Sequence, residues 1–422
     1  MVETREDNKI TIQSMFLGIL APTTLFVDSF RNYIRSMLIV SNTTNESPLL
    51  PDDLITEILL RVPVRSLLRW GLVCKSWETL ISNPQFVKQH YLATSTNMTH
   101  QQLICPILGE PFKMASCSVE HIFRYPPTPF NVTCFDMGDK FHILGSCHGL
   151  LWLFSVGLRY MKLCNLTMGT ITSKTFPSPI LRYSATFRGF GYDHLNDKYK
   201  LFLVVDSETE TSAFGTNAEE NPRKMTNIFT FGTNAKASSW KVIQDFPCDA
   251  DAASDFYGKF VSGTGTLNWL VEKKESDVIL SFDLASETYG EVLLPDGVGN
   301  MITIPQLVIL SNCLGVSFFD SEKDHLVLWQ MKEYGVQHSW TRLMVIPYFR
   351  LTLSPHHEDY NLNWFDFVVP LCISEDGVLM LKTKSKLVLY NPHDGSWDLP
   401  IIDGFIYKKI QTYHQSLVSV LF

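Results

Sequence analysis

A unit that returns about every 55 residues constrains this chain more than any other feature. Between residues 145 and 397 a turn of small residues leads into an apolar strand, a second strand follows, and the unit closes on an aromatic. It occurs as GSCHGLLWLF (145–154) with Phe176, and as GFGYDHLNDKYKLFLV (189–204) with IFTFGTNAKASSW ending at Trp240. It returns as GTGTLNWLV (263–271) with ILSFDLASETY ending at Tyr289, and as NCLGVSFF (312–319) with LVLWQMKEYGVQHSW ending at Trp340. The last copy is SEDGVLML (374–381) with LVLYNPHDGSW ending at Trp397. The closing aromatics lie 64, 49, 51 and 57 residues apart. Apolar alternation of period two, interrupted by turn residues, makes each unit four short strands, and such a repeat reads as the blades of a propeller. One four-stranded sheet has two apolar faces and hides neither alone; radial packing covers both and leaves short edges. Trp240, Trp340 and Trp397 are expected to fill the gaps between blades. Strands in 101–135 and the terminal TYHQSLVSVLF (412–422) remain, and pairing first with last predicts a sixth blade.

Ahead of this body the period is that of helices. In residues 49–90 Pro51 suits a first helical turn, Asp52 and Asp53 sit where the helix dipole favours negative charge, and Leu54, Ile55, Ile58 and Leu59 recur at helical spacing. Pro63 ends that helix and opens a second, with Val64, Leu67, Leu68, Leu72 and Val73 apolar and Arg61, Arg65 and Arg69 solvated. A third carries Trp77, Leu80 and Ile81 and closes at the Asn83-Pro84 turn. Three short helices in about 40 residues bury little surface, and chains this small usually need a metal, a disulfide or a partner. Leu50, Ile58, Leu59, Leu67, Val73 and Trp77 cannot all point inward, which marks an interface.

The run L-P-x-D-L-x-x-E-I-L-x-R-V-P-V-x-S-L-L-R, continued by V-C-K-S-W and L-I-S-N-P-x-F-x-x-x-H, resembles the F-box of the plant F-box superfamily over about 42 residues. The resemblance implies docking on the Skp-type adaptor of a cullin-RING ubiquitin ligase. The contact residues it implies are Leu50, Pro51, Ile58, Leu59, Val62, Pro63, Ser66, Leu67, Val73, Cys74 and Trp77. The chain departs from the family pattern at Trp70-Gly71, where a helical glycine costs about 1 kcal/mol relative to alanine. The β body resembles the F-box-associated, kelch-repeat-type domain of the same proteins, through GSCHGLL (145–151), GFGYD with DKYK (189–200), SFDLASE (281–287), WQMKEYGVQHSWT (329–341) and LVLYNP (387–392). Cys164 in LCN departs from the usual LWNP. The expected architecture is mainly β with a small α module: an extension at 1–46, a three-helix F-box at 47–92, and a propeller of about six blades at 100–422.

Composition excludes several other functions. The 422 residues carry 35 Lys+Arg against 43 Asp+Glu, a net charge of −8, which argues against a phosphate-tracking nucleic-acid binder. The nine cysteines occur singly with no CxxC, as in a reduced intracellular protein, so the expected location is cytoplasm, nucleus or both. Within 1–46 the apolar runs IQSMFLGIL and LFV are too short to span a bilayer, and Glu3, Glu6 and Asp7 are wrong for a secretory leader; no membrane partner is expected. His356-His357-Glu358-Asp359 as metal ligands and His142, Cys147 and His148 as a nucleophile site are both weaker than structural readings, because neither has the spacing or third group that the chemistry needs. No P-loop, G-x-S-x-G or H-E-x-x-H is present, and the glycines of GFGYD and GTGT read as tight turns. No cofactor, metal or catalytic residue is therefore expected. The function that follows is a non-catalytic receptor of an SCF-type ligase, joined through its adaptor to cullin and RING subunits. The propeller would hold an unknown target through the insertions 206–226 and 350–364. The alternative is a propeller that binds a small molecule or carbohydrate.

Overall fold

The structure is a computed structural model. It describes residues 52–72, 75–107, 112–126, 132–155, 160–172, 176–177, 187–206, 224–231, 239–247, 257–272, 277–298, 305–320, 322–347, 368–402 and 405–420. Two compact units meet in sequence at Thr94 and Ser95.

The first unit has four helices where the sequence predicts three: α1 (Asp52–Leu59), α2 (Val64–Trp70), α3 (Lys75–Ile81) and α4 (Pro84–Thr94). Asn83-Pro84 does close α3, but it also opens α4. The Asn83 carboxamide accepts from the Gln85 amide at 2.8 Å, and proline at the first helical position gives up only an amide that would lack a partner there. Phe86, His90, Tyr91 and Thr94 form the buried stripe of α4. Gly71 lies just past the end of α2, with its amide on the Leu67 carbonyl at 2.8 Å, so the mid-helix penalty does not apply.

The second unit is a six-bladed propeller. Blade 1 holds β1 (Gln101–Ile107), β2 (Phe112–Ser118) and, after the short helix α5 (Val119–Arg124), β3 (Thr133–Gly138). Blade 2 holds β4 (Phe141–Cys147), β5 (Leu150–Ser155), β6 (Tyr160–Asn165) and β7 (Thr170–Ile171), with β8 (Phe176–Pro177) also on β6. Blade 3 is β9 (Phe187–Asp193), β10 (Lys198–Asp206), β11 (Lys224–Thr230) and β12 (Ser239–Asp245). Blade 4 is β13 (Lys259–Val261), β14 (Thr266–Glu272), β15 (Asp277–Asp283) and β16 (Thr288–Val292). Blade 5 is β17 (Gln306–Leu310), β18 (Cys313–Asp320), β19 (His325–Met331) and β20 (Trp340–Pro347). Blade 6 is β21 (Val369–Ile373), β22 (Leu379–Lys382), β23 (Leu387–Tyr390) and β24 (Trp397–Asp398). The last strand, β25 (Gln411–His414), returns to pair with β1 and becomes the inner strand of blade 1. Inner strands β4, β9, β13, β17, β21 and β25 follow one another around the axis.

Alternation here does not separate core from solvent; it separates one core from the next. Along β10, Leu201 and Leu203 join the cluster shared with blade 2, while Phe202 and Val204 join the one shared with blade 4. Six apolar clusters result, each shared between two adjacent blades. Trp340 is buried between blades 4 and 5, Trp240 packs between 2 and 3, and Trp397 between 5 and 6. The largest single contribution comes from tryptophans such as Trp269, 1% exposed. A buried tryptophan removes roughly 150–250 Å² from water, about 4–6 kcal/mol at 25 cal/mol/Å².

An Asp or Asn at the end of one strand builds the turn to the next. Asp193 and Asp283 each accept from two amides beyond them, as does Asn165 from Thr167 at 2.9 Å and Met168 at 3.2 Å. His148 and Gly149 both have positive φ, 49° and 75°, which makes the β4–β5 turn type I′. The glycines of GFGYD have another role: they lie within β9, and a Cβ on Gly189 or Gly191 would come within 2.6 Å of Leu267 or Phe260. They allow blade 3 to approach blade 4.

Blades 3 and 4 are also joined by charge. The Lys200 ammonium, side chain 5% exposed, meets Asp193 at 2.9 Å, Glu287 at 3.1 Å and the Leu284 carbonyl at 2.5 Å, and Lys241 reaches Glu287 at 2.9 Å from solvent. Burial pushes the carboxyls of Asp193 and Glu287 up, but hydrogen bonds from Asn196, Lys200 and Lys241 outweigh it and hold both below the usual range. Replacing Lys200 by Met would leave the fully buried Asp193 carboxylate without its cation, while Glu287 keeps Lys241, and equilibrium urea unfolding is expected to show a loss of about 3–5 kcal/mol. Lys241→Met, at a solvated end, is expected to cost under about 1 kcal/mol. Both carboxyls are more acidic folded than unfolded, so their stabilisation is present above about pH 4 and disappears as pH falls through the folded values. Melting temperature measured against pH should drop steeply there in the wild type and less so in Lys200→Met.

Candidate functional site

The helical module is organised around the Val62-Pro63 corner. After α1 the chain tightens, with Arg61 and Val62 amides on the carbonyls of Ile58 and Leu59 at 3.1 Å. Pro63 then turns out of helical geometry (ψ 140°) and offers its carbonyl to Ser66 and Leu67. From α4 the His90 imidazole reaches back across the corner, Nε2 to the Val62 carbonyl at 2.8 Å. Burial lowers the His90 pKa more than this bond raises it, so the ring is neutral and Nε2–H donates. Trp70 and Trp77 face each other with ring centres 5.8 Å apart, and the Trp77 indole N–H is buried without an acceptor.

The residues implied for adaptor contact are distributed unevenly. Leu59, Val62, Leu67 and Trp77 are buried, Ile58 and Ser66 are half-buried, and Pro63 is exposed. Leu50, Pro51, Val73 and Cys74 lie outside the described residues. Exposed apolar surface instead includes Leu72, 87% exposed, and Leu54, 36% exposed. Leu72 belongs to the sequence's apolar set for the second helix, but α2 ends at Trp70; Gly71 keeps helical angles (φ −57°, ψ −23°), the Leu72 amide closes a tighter turn on the Arg69 carbonyl at 3.2 Å, and the Leu72 side chain stands in solvent. His90 ends the F-x-x-x-H run, and its bond to a carbonyl 28 residues back cannot be seen in spacing.

In the propeller, the second and fourth strands of every blade run the same way, so β10 ending at Asp206 and β20 ending at Pro347 deliver the chain to the same face. The insertions expected to hold a target leave from that face; residues 207–223 and 348–367 themselves lie outside the described residues. The opposite face carries the short turns after Cys147, Asn165, Asp193, Val261 and Asp283.

Candidate chemistry is absorbed by packing. Cys147 is buried between blades 2 and 3 and its thiol is pushed well up by burial; burial likewise pushes Cys117, Cys164 and Cys372 up to about 12. A protonated, enclosed thiol is no nucleophile. His148 bonds Ser262 Oγ at 3.3 Å and Tyr199 at 3.4 Å, while His142 lies at the far end of β4. Residues 356–359 lie outside the described residues. The carboxamide of Asn165, beside Cys164, donates to the Ser416 and Val418 carbonyls at 3.0 and 2.8 Å and accepts from Tyr413, fastening the returning C-terminal strand.

Residues 48–89 match the F-box domain and residues 114–366 the F-box associated beta propeller domain. The chain belongs to the F-box-associated β-propeller family. An F-box/kelch-repeat protein of Arabidopsis thaliana is 28% identical over 385 residues, spanning 88% of this chain and 95% of its own. The F-box protein CPR1 of the same plant is 24% identical over 366 residues, 81% and 82% of the two chains. TolB of Acinetobacter baumannii superimposes with a TM-score of 0.40 over 77% of this chain and 70% of its own, at 8% identity.

The neutral His90 makes the F-box corner sensitive to acid. Its folded pKa lies below the unfolded one, so the unfolded module binds the extra proton and stability falls as pH drops below about 6.5. Amide hydrogen exchange at Ser66 and Leu67 in the full chain is expected to accelerate between pH 7.5 and 5.5 beyond the intrinsic pH trend. His90→Gln, with an amide N–H in place of Nε2–H, should flatten that excess.

Proposed function

We propose that this chain is the substrate-recognition subunit of an SCF-type cullin-RING ubiquitin ligase, with the F-box on a Skp-type adaptor and the propeller on a target protein. The observation that carries the reading is the union in one chain of an F-box and an F-box-associated propeller, with apolar side chains of the F-box, Leu72 above all, left in water. Covering a leucine of that kind contributes about 1.5–3 kcal/mol, and several together suit a stable subunit contact. The receptor forms no bond and breaks none. It confines a target lysine beside the ubiquitin thioester, and the gain is one of effective concentration, while the bond chemistry belongs to the cullin-bound RING and conjugating subunits. The proposed site of action is the cytoplasm, the nucleus or both.

The test is co-purification of the full chain with a Skp-type adaptor. Wild type should retain the adaptor, and Leu50→Ala/Pro51→Ala and, separately, Leu72→Asp should lower its recovery about tenfold or more while the melting temperature stays unchanged. Proximity labelling should keep the propeller's target neighbours in the same variants. Adaptor recovery unchanged in both variants, or absent from wild type, would overturn the reading and leave the small-molecule propeller standing.

A further inference from the structure

The first residues of the propeller unit are held at both ends. The Ser95 hydroxyl accepts from the Asn312 carboxamide at 3.2 Å, across 217 positions of sequence. Five residues later the His100 carbonyl accepts from the Gln415 amide at 2.8 Å. The His100 ring, 1% exposed, stacks on that of His414 with centres 5.7 Å apart, and Gln101 opens β1 opposite His414. Between these two points the chain is shaped by its own side chains. The Asn97 carboxamide accepts from the amide and the hydroxyl of Thr99, both at 2.9 Å, and starts a 3₁₀ turn (Met98–His100) that packs on α5.

Asn312 stands where the backbone asks for glycine. With Ser311 it forms the two-residue turn between β17 and β18, Leu310 opposite Cys313, and both residues have positive φ, 49° and 61°. A type I′ turn needs that conformation twice and favours glycine at its second position. The matching turn of blade 2, Cys147 opposite Leu150, follows the rule with His148-Gly149. Blade 5 instead keeps a side chain there, in a backbone region that few residues other than glycine enter. Asparagine tolerates the region, but tolerance does not account for a carboxamide committed to a residue 217 positions away. A strained conformation retained at a surface turn points to work done by the side chain it keeps.

We propose that the Asn312–Ser95 bond is a clip, and that it makes residues 95–100 a strut that fixes where the chain arriving from the F-box enters the propeller. Both of the strut's attachments, to Asn312 and to Gln415, lie within the second unit. Opening the clip frees residues 95–99, about 17 Å of extended chain at 3.3–3.6 Å per residue. In a receptor that works by confinement, slack of that size lowers the effective concentration of a target lysine at the ubiquitin thioester. That consequence rests on the receptor role proposed above, whereas the clip itself does not.

Amide hydrogen exchange in the full chain tests the clip. The Thr99 and His100 amides report on the strut, since they bond to the Asn97 carboxamide and carbonyl at 2.9 and 3.2 Å. Asn312→Gly suits the left-handed turn and removes only the carboxamide, so the melting temperature should hold or rise. Both reporter amides should exchange at least about tenfold faster, while the amides of β17 and β18 keep their rates. Ser95→Ala leaves the blade 5 turn untouched and should give the same acceleration. Unchanged exchange in either variant, or acceleration that spreads through β17 and β18, would overturn the clip. Small-angle scattering from the full chain bound to a Skp-type adaptor tests the strut: the distribution of interatomic distances should broaden in both variants, and an unchanged distribution beside accelerated exchange would overturn it. A wild type that fails to retain the adaptor rejects the receptor role, and the exchange rates then decide the clip by themselves.

Discussion

The propeller depends on a boundary condition: every blade has two apolar faces, so none is covered until the ring is complete. Blade 1 cannot complete it from its own stretch of sequence, because its inner strand is β25, at the other end of the chain. The closing contact is therefore polar as well as apolar. Tyr413 enters the core between blades 1 and 2 and donates to the Asn165 carboxamide, which also holds the carbonyls of residues 416 and 418. Gly149 has a positive φ and no room for a Cβ, which would sit 2.7 Å from the His414 carbonyl. Asn165, Tyr413 and Gly149, from three parts of the sequence, define one seam, and the other five clusters are kept dry only while that seam is shut.

Much of this was legible in advance because the repeat is written in residues whose roles are local. An Asp or Asn at the end of a strand, followed six residues later by an aromatic, specifies a turn and the strand beyond it, as Asp283 does with Tyr289 and Asn391 with Trp397. Blade number followed from counting such units and giving the leftover ends to each other. What the residues could not reveal alone was long-range. The glycines of GFGYD looked like turn residues because their real constraint, Leu267 and Phe260, lies on another blade. Lys200 was visible as part of a motif, but its partner Glu287 is 87 positions away. In the F-box the obstacle is different: Asn83-Pro84 signals a stop and a start with the same chemistry, so the turn marks the end of α3 without revealing that α4 begins there.

The F-box residues show why a recognition motif need not be a list of contacts. Leu59, Val62, Leu67 and Trp77 are buried, so their part in any docking surface is to fix the shape from which Pro63 and Leu72 project. His90 belongs with them, since a neutral ring on the Val62 carbonyl sets the angle between the first two helices. A motif can thus be preserved for its scaffold while exposed groups carry the energy of association, and only burial separates the two classes.

Topology explains why recognition would gather on one face. Hairpins on the face of the Asp193 and Asn165 turns join adjacent strands about 4.8 Å apart, so two to four residues suffice and the polar groups are consumed by the turn itself. On the other face the chain must also travel from the outer strand of one blade to the inner strand of the next, roughly 14 Å, which needs a real connection. Once a connection is long, lengthening it further costs little, about 0.6 kcal/mol for each doubling. That face therefore accepts an insertion at low cost where blade 5 passes to blade 6 after Pro347, whereas the stretch after Asp206 joins β10 to β11 within blade 3; it is also the face on which the inner strands begin.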